Sequence, residues 1–240
     1  MTSGGLARLA GEGLSEGHRT LADRAFGALH EAILAGYLAP GERLPIEELG
    51  VALGMSAMPI REALRRLDAA GLVENIPHRG ARVTQLSLED LAEVYEARLA
   101  LEALAVRRAA ERFTGEHAVA ASSKLATLNA LADENSPGTW AAHTAFHFSL
   151  YEAAGSAWLI RVIRPLWETS QRYRLGVSEA RELADRRVEH ATILQACVEH
   201  DAELAAVLLH NHLTTTANVV ARAMGGEPLF EPAPLASGRR

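Results

Sequence analysis

The stretch that most constrains the fold of this chain is residues 48–83, ELGVALGMSAMPIREALRRLDAAGLVENIPHRGARV. A short apolar helix carrying Ile46, Leu49, Ala52 and Leu53 stops at Gly54. Ser56 then stands where a helix N-cap is expected, and Pro59 suits a first helical turn. Ile60, Ala63, Leu64 and Leu67 recur at helical spacing as a buried stripe, while Arg61 and Arg65 lie four apart on another face. The period then changes. Leu72, Val73 and Ile76, followed by Ala81 and Val83, read as two short strands with a turn at Pro77-His78-Arg79-Gly80. Helix, turn, helix and hairpin in this order is the layout of a winged helix-turn-helix, a module that sets its second helix into a DNA groove.

Upstream, Leu21, Ala25, Leu29, Ile33 and Leu34 repeat at helical spacing and the helix ends at Gly36, before a turn forced by Pro40-Gly41. This places a winged-helix domain over residues 17–86, behind a flexible Gly-rich leader at 1–16. The net charge of the 240-residue chain is -6, which is unusual for a DNA binder, but the charge is unevenly spread. Residues 17–87 hold eight Arg against eight Asp or Glu, so the acidity sits further on. The bases of the N-terminal part gather at Arg61, Arg65, Arg66, Arg79 and Arg82, and local charge sets the field that phosphates meet. No apolar run approaches the roughly 18 residues needed to cross a bilayer. The N-terminus lacks both a basic start and an uninterrupted apolar core, so a signal peptide is not expected there. Cys197 is the single cysteine, which excludes an intrachain disulfide framework and points to a reducing cytoplasm.

A helix bearing Arg61, Arg65 and Arg66 can be a solvated face. Between a turn and a wing it reads instead as a recognition helix, because an Arg near its start can bond guanine O6 and N7 while its neighbours hold phosphates. PGERL (residues 40–44), PIREALRRL (59–67), GLV (71–73) and PHRGARV (77–83) resemble the DNA-binding domain of GntR-family regulators. The resemblance implies DNA contacts from Ser56, Met58, Arg61, Arg65, His78, Arg79 and Gly80. The family commonly has Ser-Arg-Thr before the Pro, where this chain has Ser56-Ala57-Met58. That difference implies an altered operator sequence or weaker binding.

Residues 87–224 read as an all-helical domain, most simply an antiparallel bundle. Helices are expected from Ser87, over 116–132, over 139–154, from 157 with a kink at Pro165, over 179–199 and over 201–223. The Gly- and Pro-rich tail from residue 225 reads as flexible. Of the ten histidines, His143 and His147 lie one turn apart beside Trp140, Tyr151 and Ala154. His190 shares a stripe with Ile193, Leu194 and Cys197, and His212 one with Leu208, Leu209, Thr216 and Val219. One inward histidine is ordinarily a hydrogen-bonded core residue. Four on facing helices are hard to satisfy that way, whereas a shared divalent metal accepts from all of them. His200 and His210 fall off these stripes. Arg98, between Tyr95 and Glu102 on the first helix, is either an ion-pair partner of Glu102 or a fork for an effector carboxylate.

FHFSLYEAAGS (residues 146–156) and the 22-residue spacing of His190 and His212 resemble the FCD effector-binding domain of the FadR-like GntR subgroup. That resemblance implies zinc or nickel in a cavity, with a small carboxylic acid coordinated to it. His143 stands where the subgroup usually has Asp, which makes the set softer and favours zinc or nickel over magnesium or calcium. A metal-ion-responsive regulator and a metal-dependent hydrolase share the same histidines. No nucleophile elbow or phosphate loop supports the enzyme. The expectation is a homodimeric regulator, a repressor, reading an inverted-repeat operator under control of a small carboxylate.

Overall fold

The computed structural model describes residues 20–76, 79–131, 136–174 and 183–235. It is mainly helical and divides into two compact units, with the division between Ser87 and Leu88. No described helix is long and apolar enough to cross a membrane.

The first unit runs α1 (Leu21–Leu34), β1 (Arg43–Leu44), α2 (Ile46–Leu53), α3 (Ala57–Ala69), β2 (Val73–Ile76) and β3 (Gly80–Val83). Thr20 and Asp23 form a capping box at the start of α1, each side chain bonding the other's backbone N–H. Gly54 ends α2 in the left-handed region at φ 63°. That conformation turns the chain sharply into α3 and is one that glycine adopts without strain. Leu49, Ile60, Leu64, Leu67 and Val83 are buried in one core with Leu29 and Ile33 of α1. The sheet order is β1-β3-β2, all antiparallel, with Val73 opposite Val83 and Ile76 opposite Gly80. Strand β1 is not evident from sequence because two residues, Arg43 and Leu44, carry too little periodicity.

The cap expected at Ser56 is absent. Ser56 occupies the N-cap position with extended backbone, but its side chain makes no cap hydrogen bond. A cap hydroxyl bonds the N–H of the second or third helical residue. The third residue of α3 is Pro59, which has no N–H.

The second unit contains α4 (Leu88–Glu111), α5 (Gly115–Asn129), α6 (Pro137–Glu152), α7 (Ala157–Arg174), α8 (Leu183–Val198) and α9 (Ala202–Ala223). Pro165 lies inside α7, which continues through it. Four residues of the helix expected over 179–199 lie outside the described residues. The core is built from Phe146, Leu150, Ile163, Trp167, Ile193 and Leu213 among others, with α4 packed along α9.

Residues 225–235 differ from the flexible tail expected from composition. Asn218 Oδ1 accepts from the backbone N–H groups of Leu229 and Phe230, and its amide donates to Phe230 O. One heptad earlier, Asn211 makes the same exchange with Ala233. Phe230 packs against the core. Two asparagine side chains thus satisfy backbone groups that the prolines prevent from pairing in a regular element. We expect Asn218→Ala to destabilise the tail by about 1–3 kcal/mol. Hydrogen exchange checks this: the amides of residues 229 and 230 lose protection while those of α9 keep theirs.

Candidate functional site

On α3 the exposed residues are Ala57, Met58, Arg61, Arg65, Asp68 and Ala69, of which Ala57, Arg61, Arg65 and Asp68 follow one face at spacings of three and four. Ser56 is exposed just before them, and Met58 retains 76% of its surface, unusual for a large apolar side chain. Arg65 is held by Glu62 at 2.8 Å. Arg66 belongs to the fold: it bonds Asp23 Oδ1 at 2.8 Å and lies 4.3 Å over the Phe26 ring, joining α3 to α1. Arg82 pairs with Glu74 across the hairpin at 2.7 Å. Arg79 and Gly80 are exposed at the wing. His78 lies outside the described residues.

In the second unit, His143 and His147 from α6, His190 from α8 and His212 from α9 converge. Each offers one ring nitrogen to a group whose members lie within 4.8 Å of one another, and all four are buried. The helical stripes read from sequence therefore meet at one point. Cys197, from the His190 stripe, is not part of this group, and burial pushes its thiol up to about 12.

The bonds around the histidines fix how each ring is presented. Tyr151 Oη donates to Glu102 Oε2 at 2.6 Å. A phenol has a single proton, so in the 3.2 Å contact with His147 the histidine Nδ1–H is the donor. His147 Nε2 therefore carries a lone pair, and it faces His190 Nε2 at 3.2 Å. His212 Nδ1 donates to Glu189 Oε2 at 2.7 Å, which likewise leaves Nε2 as the lone-pair nitrogen. Carboxylate and phenol partners on the outer nitrogen are what orient ligating histidines. His143 stacks on Trp167, its Nδ1 is 3.5 Å from an Arg174 nitrogen, and its buried Nε2 has no hydrogen-bond partner.

Burial holds His143 and His147 well below the usual histidine range, helped at His143 by the Arg174 charge and at His147 by His190 and His212. Neutral imidazole is the form that ligates a metal. The cluster can therefore hold a metal ion. The His143 nitrogen without a hydrogen-bond partner and the lone pair on His147 Nε2, aimed at His190, fit an ion.

Arg98 is brought to Glu102, not to the cluster. Its Nε lies 2.6 Å from Glu102 Oε1, its Nη1 donates to Ser170 Oγ at 2.8 Å, and its guanidinium lies over Tyr95 and Trp167. Both members of the pair are buried. The ion-pair alternative is thus the observed geometry, and it braces the histidine cluster through Glu102, Tyr151 and His147.

A cavity of about 40 Å³ lies beside His143 and His190, lined also by Trp140, Arg174, Arg186 and Arg187. That is room for a few waters. The three arginines have no counterpart in the sequence reading. A signal was present: Arg186 and Arg187 precede His190 by four and three residues, so they share its helix face.

Residues 21–83 match the model for bacterial regulatory proteins of the gntR family, and residues 93–215 match the FCD domain. The chain belongs to the GntR family, in its FCD-containing branch. It is 29% identical over 208 residues to the HTH-type transcriptional repressor GlaR of Escherichia coli (strain K12), covering 82% of this chain and 94% of that one. It is 32% identical over 211 residues to the uncharacterized HTH-type transcriptional regulator BphR of Paraburkholderia xenovorans (strain LB400), covering 84% and 86%. The structure of E. coli McbR/YncC shares the fold, with a TM-score of 0.73 at 24% identity over 86% of this chain and all of that one. As a GntR-family member the protein is a DNA-binding transcriptional regulator and not an enzyme, which sets the hydrolase alternative aside.

The buried Arg98–Glu102 pair gives a direct test. Arg98→Met should cost about 3–5 kcal/mol in denaturant unfolding, because Glu102 is left charged and unpaired. The double variant Arg98→Met/Glu102→Met should recover much of that loss.

Proposed function

We propose that this protein is a homodimeric cytoplasmic repressor whose hold on an inverted-repeat operator is set by a small carboxylic acid bound at a zinc or nickel ion. The observation that carries the reading is the cluster of four buried histidines, with the outer nitrogens of His147 and His212 tied to Tyr151 and Glu189. His147 Nε2 and His190 Nε2 lie 3.2 Å apart, near enough for both to reach one ion. His147, His190 and His212 are the three ligands best prepared. His143 replaces the acidic residue usual in relatives, and it is the fourth. A bound ion supplies a Lewis-acid position that takes an anionic oxygen. The protein residues supply the rest: Glu102, Tyr151 and Glu189 hold the rings, and the apolar surround of Phe146 and Trp167 keeps the site dry.

In the first unit, Arg61 and Met58 meet bases, and Ser56, Arg65, Arg79, His78 and Gly80 meet the backbone or the adjoining groove. The uncapped Ser56 hydroxyl is exposed and suits a phosphate oxygen. Met58, where the family commonly has Thr, suits contact with a thymine methyl. Effector binding shifts the populations of operator-competent and operator-incompetent dimers, by no more than its difference in affinity for the two.

In a mobility-shift titration, Arg61→Ala should weaken specific binding roughly 5- to 150-fold, the 1–3 kcal/mol of a bidentate base contact. Unchanged affinity would remove the recognition-helix assignment. For the cluster, protein purified without an affinity tag should carry close to one equivalent of metal, and His190→Ala should lose it. Metal content that does not change in the variant would sink the site. Operator release by zinc or nickel alone, with no organic acid, would favour the metal-responsive reading.

A further inference from the structure

Helix α3 carries three arginines, and two of them are committed within the fold. Arg65 is held by Glu62 at 2.8 Å and Arg66 by Asp23 at 2.8 Å. Arg61 is exposed and, among the described residues, has no carboxylate partner. Its planar fork is the one on this helix left whole for a base edge.

The side chains beside Arg61 have an uncommon chemistry for a face that reads DNA. Ala57 and Met58 stand four and three residues before it, and both are exposed. Met58 keeps 76% of its surface in water. Pro59 and Ile60 between them and Arg61 are buried, so the first turn of α3 turns only Ala57 and Met58 outward. Neither side chain has a donor, and the thioether is at most a weak acceptor. They are blind to the hydrogen-bonding pattern of a base. What they can meet in the major groove is the methyl group on C5 of a pyrimidine. Met is well suited to it, being flexible and polarizable.

Spacing fixes where that methyl lies. Residues three apart on a helix have Cβ atoms about 5–6 Å apart, and successive base pairs rise about 3.4 Å. Met58 and Arg61 therefore reach one base pair or two neighbours. An unmodified G·C pair held by Arg61 has no methyl of its own, so the methyl belongs to the next pair. We propose that each operator half-site sets a G·C pair bonded by Arg61 beside a pair whose pyrimidine Met58 reads through its C5 methyl alone. Thymine and 5-methylcytosine carry that group, whereas uracil and cytosine do not. Operator binding then responds to cytosine methylation at this position. This rests on the reading that Arg61 and Met58 meet bases.

Selection from a random-sequence duplex library with the full-length protein supplies the probe. Each half-site should contain a G·C pair whose preference is lost in Arg61→Ala, next to an A·T pair. Synthetic duplexes of the selected sequence then carry thymine, uracil, cytosine or 5-methylcytosine at the pyrimidine of that neighbouring pair. Thymine against uracil, and 5-methylcytosine against cytosine, differ only by the methyl. In each comparison the methyl should raise affinity roughly four-fold per half-site, the factor for burying one such group. In Met58→Ala, an exposed position whose truncation spares the core, both differences should vanish. A missing A·T neighbour, equal binding of the methylated and unmethylated base in either comparison, or a methyl preference that survives Met58→Ala would overturn the methyl readout and leave Arg61 as the base reader. Enrichment of no sequence, or an unaltered preference in Arg61→Ala, would overturn both.

Discussion

The second unit is organised around one buried charge pair. Arg98 and Glu102 sit a turn apart on α4 with 2% and 0% of their side chains exposed. Two ions this deep are costly unless each donor and each oxygen is used. Here each guanidinium nitrogen and both oxygens have a partner: Nε and Nη2 bond Glu102, Ser170 of α7 takes Nη1, and Tyr151 of α6 donates to the carboxylate. Tyr95 and Trp167 sandwich the guanidinium. The pair therefore fixes the rotations of α4, α6 and α7 about their axes more narrowly than apolar packing alone would. The same bonds determine the proton position on His147, and with it the direction of a lone pair at the centre of the bundle. Structural and functional constraints meet in one carboxylate.

This arrangement has a consequence for what sequence can reveal. The helical periods, the glycine-ended turns and the histidine stripes follow from local spacing, and they locate the winged helix and bring His143, His147, His190 and His212 onto inward faces. The Arg98–Glu102 spacing was equally visible, but the choice between an ion pair and a ligand clamp depends on Ser170 and Tyr151, which are 72 and 49 residues away from their respective partners. At Ser56 a residue in plain view, Pro59, removes one of the two N–H groups that a cap can use, and the remaining one, on Met58, is not bonded by the Ser56 side chain. The tail was hidden for a different reason. Its composition lacks the apolar content for a core of its own, and its order is supplied by Asn211 and Asn218, seven residues apart on a neighbouring helix. Side chains that satisfy another segment's backbone leave no periodic trace in that segment.

The four ligand candidates are not equivalent, and the difference follows from their neighbours. His147 and His212 each lose Nδ1 to an oxygen partner, so a single tautomer is imposed. The contact of His143 with Arg174 is at the limit of hydrogen-bond length and places a donor, not an acceptor, against Nδ1. An imidazole accepting at Nδ1 carries its proton on Nε2, the wrong form for ligation through that atom. His143 must exchange tautomers to join an ion, and anything that draws Arg174 away eases that exchange.

Under the proposed effector control a signal from the histidine cluster has to reach α3 in the other unit, and the covalent link between the units enters α4 at Leu88. Glu102 lies on that helix and is bonded, through Tyr151, to His147. A change in charge at the histidines thus acts on a group of α4 across two hydrogen bonds. Proximity of this kind does not amount to coupling. What gives it physical content is the low tolerance of the pair for altered partners: with both ions buried, a small change in the proton or charge demand on Tyr151 changes the energy of Glu102 far more than it would at a surface. An effector site wired to a surface salt bridge would lose its signal to solvent screening. Burial of Arg98 and Glu102 keeps the histidine cluster electrostatically audible to the helix that leads back to the DNA-binding unit.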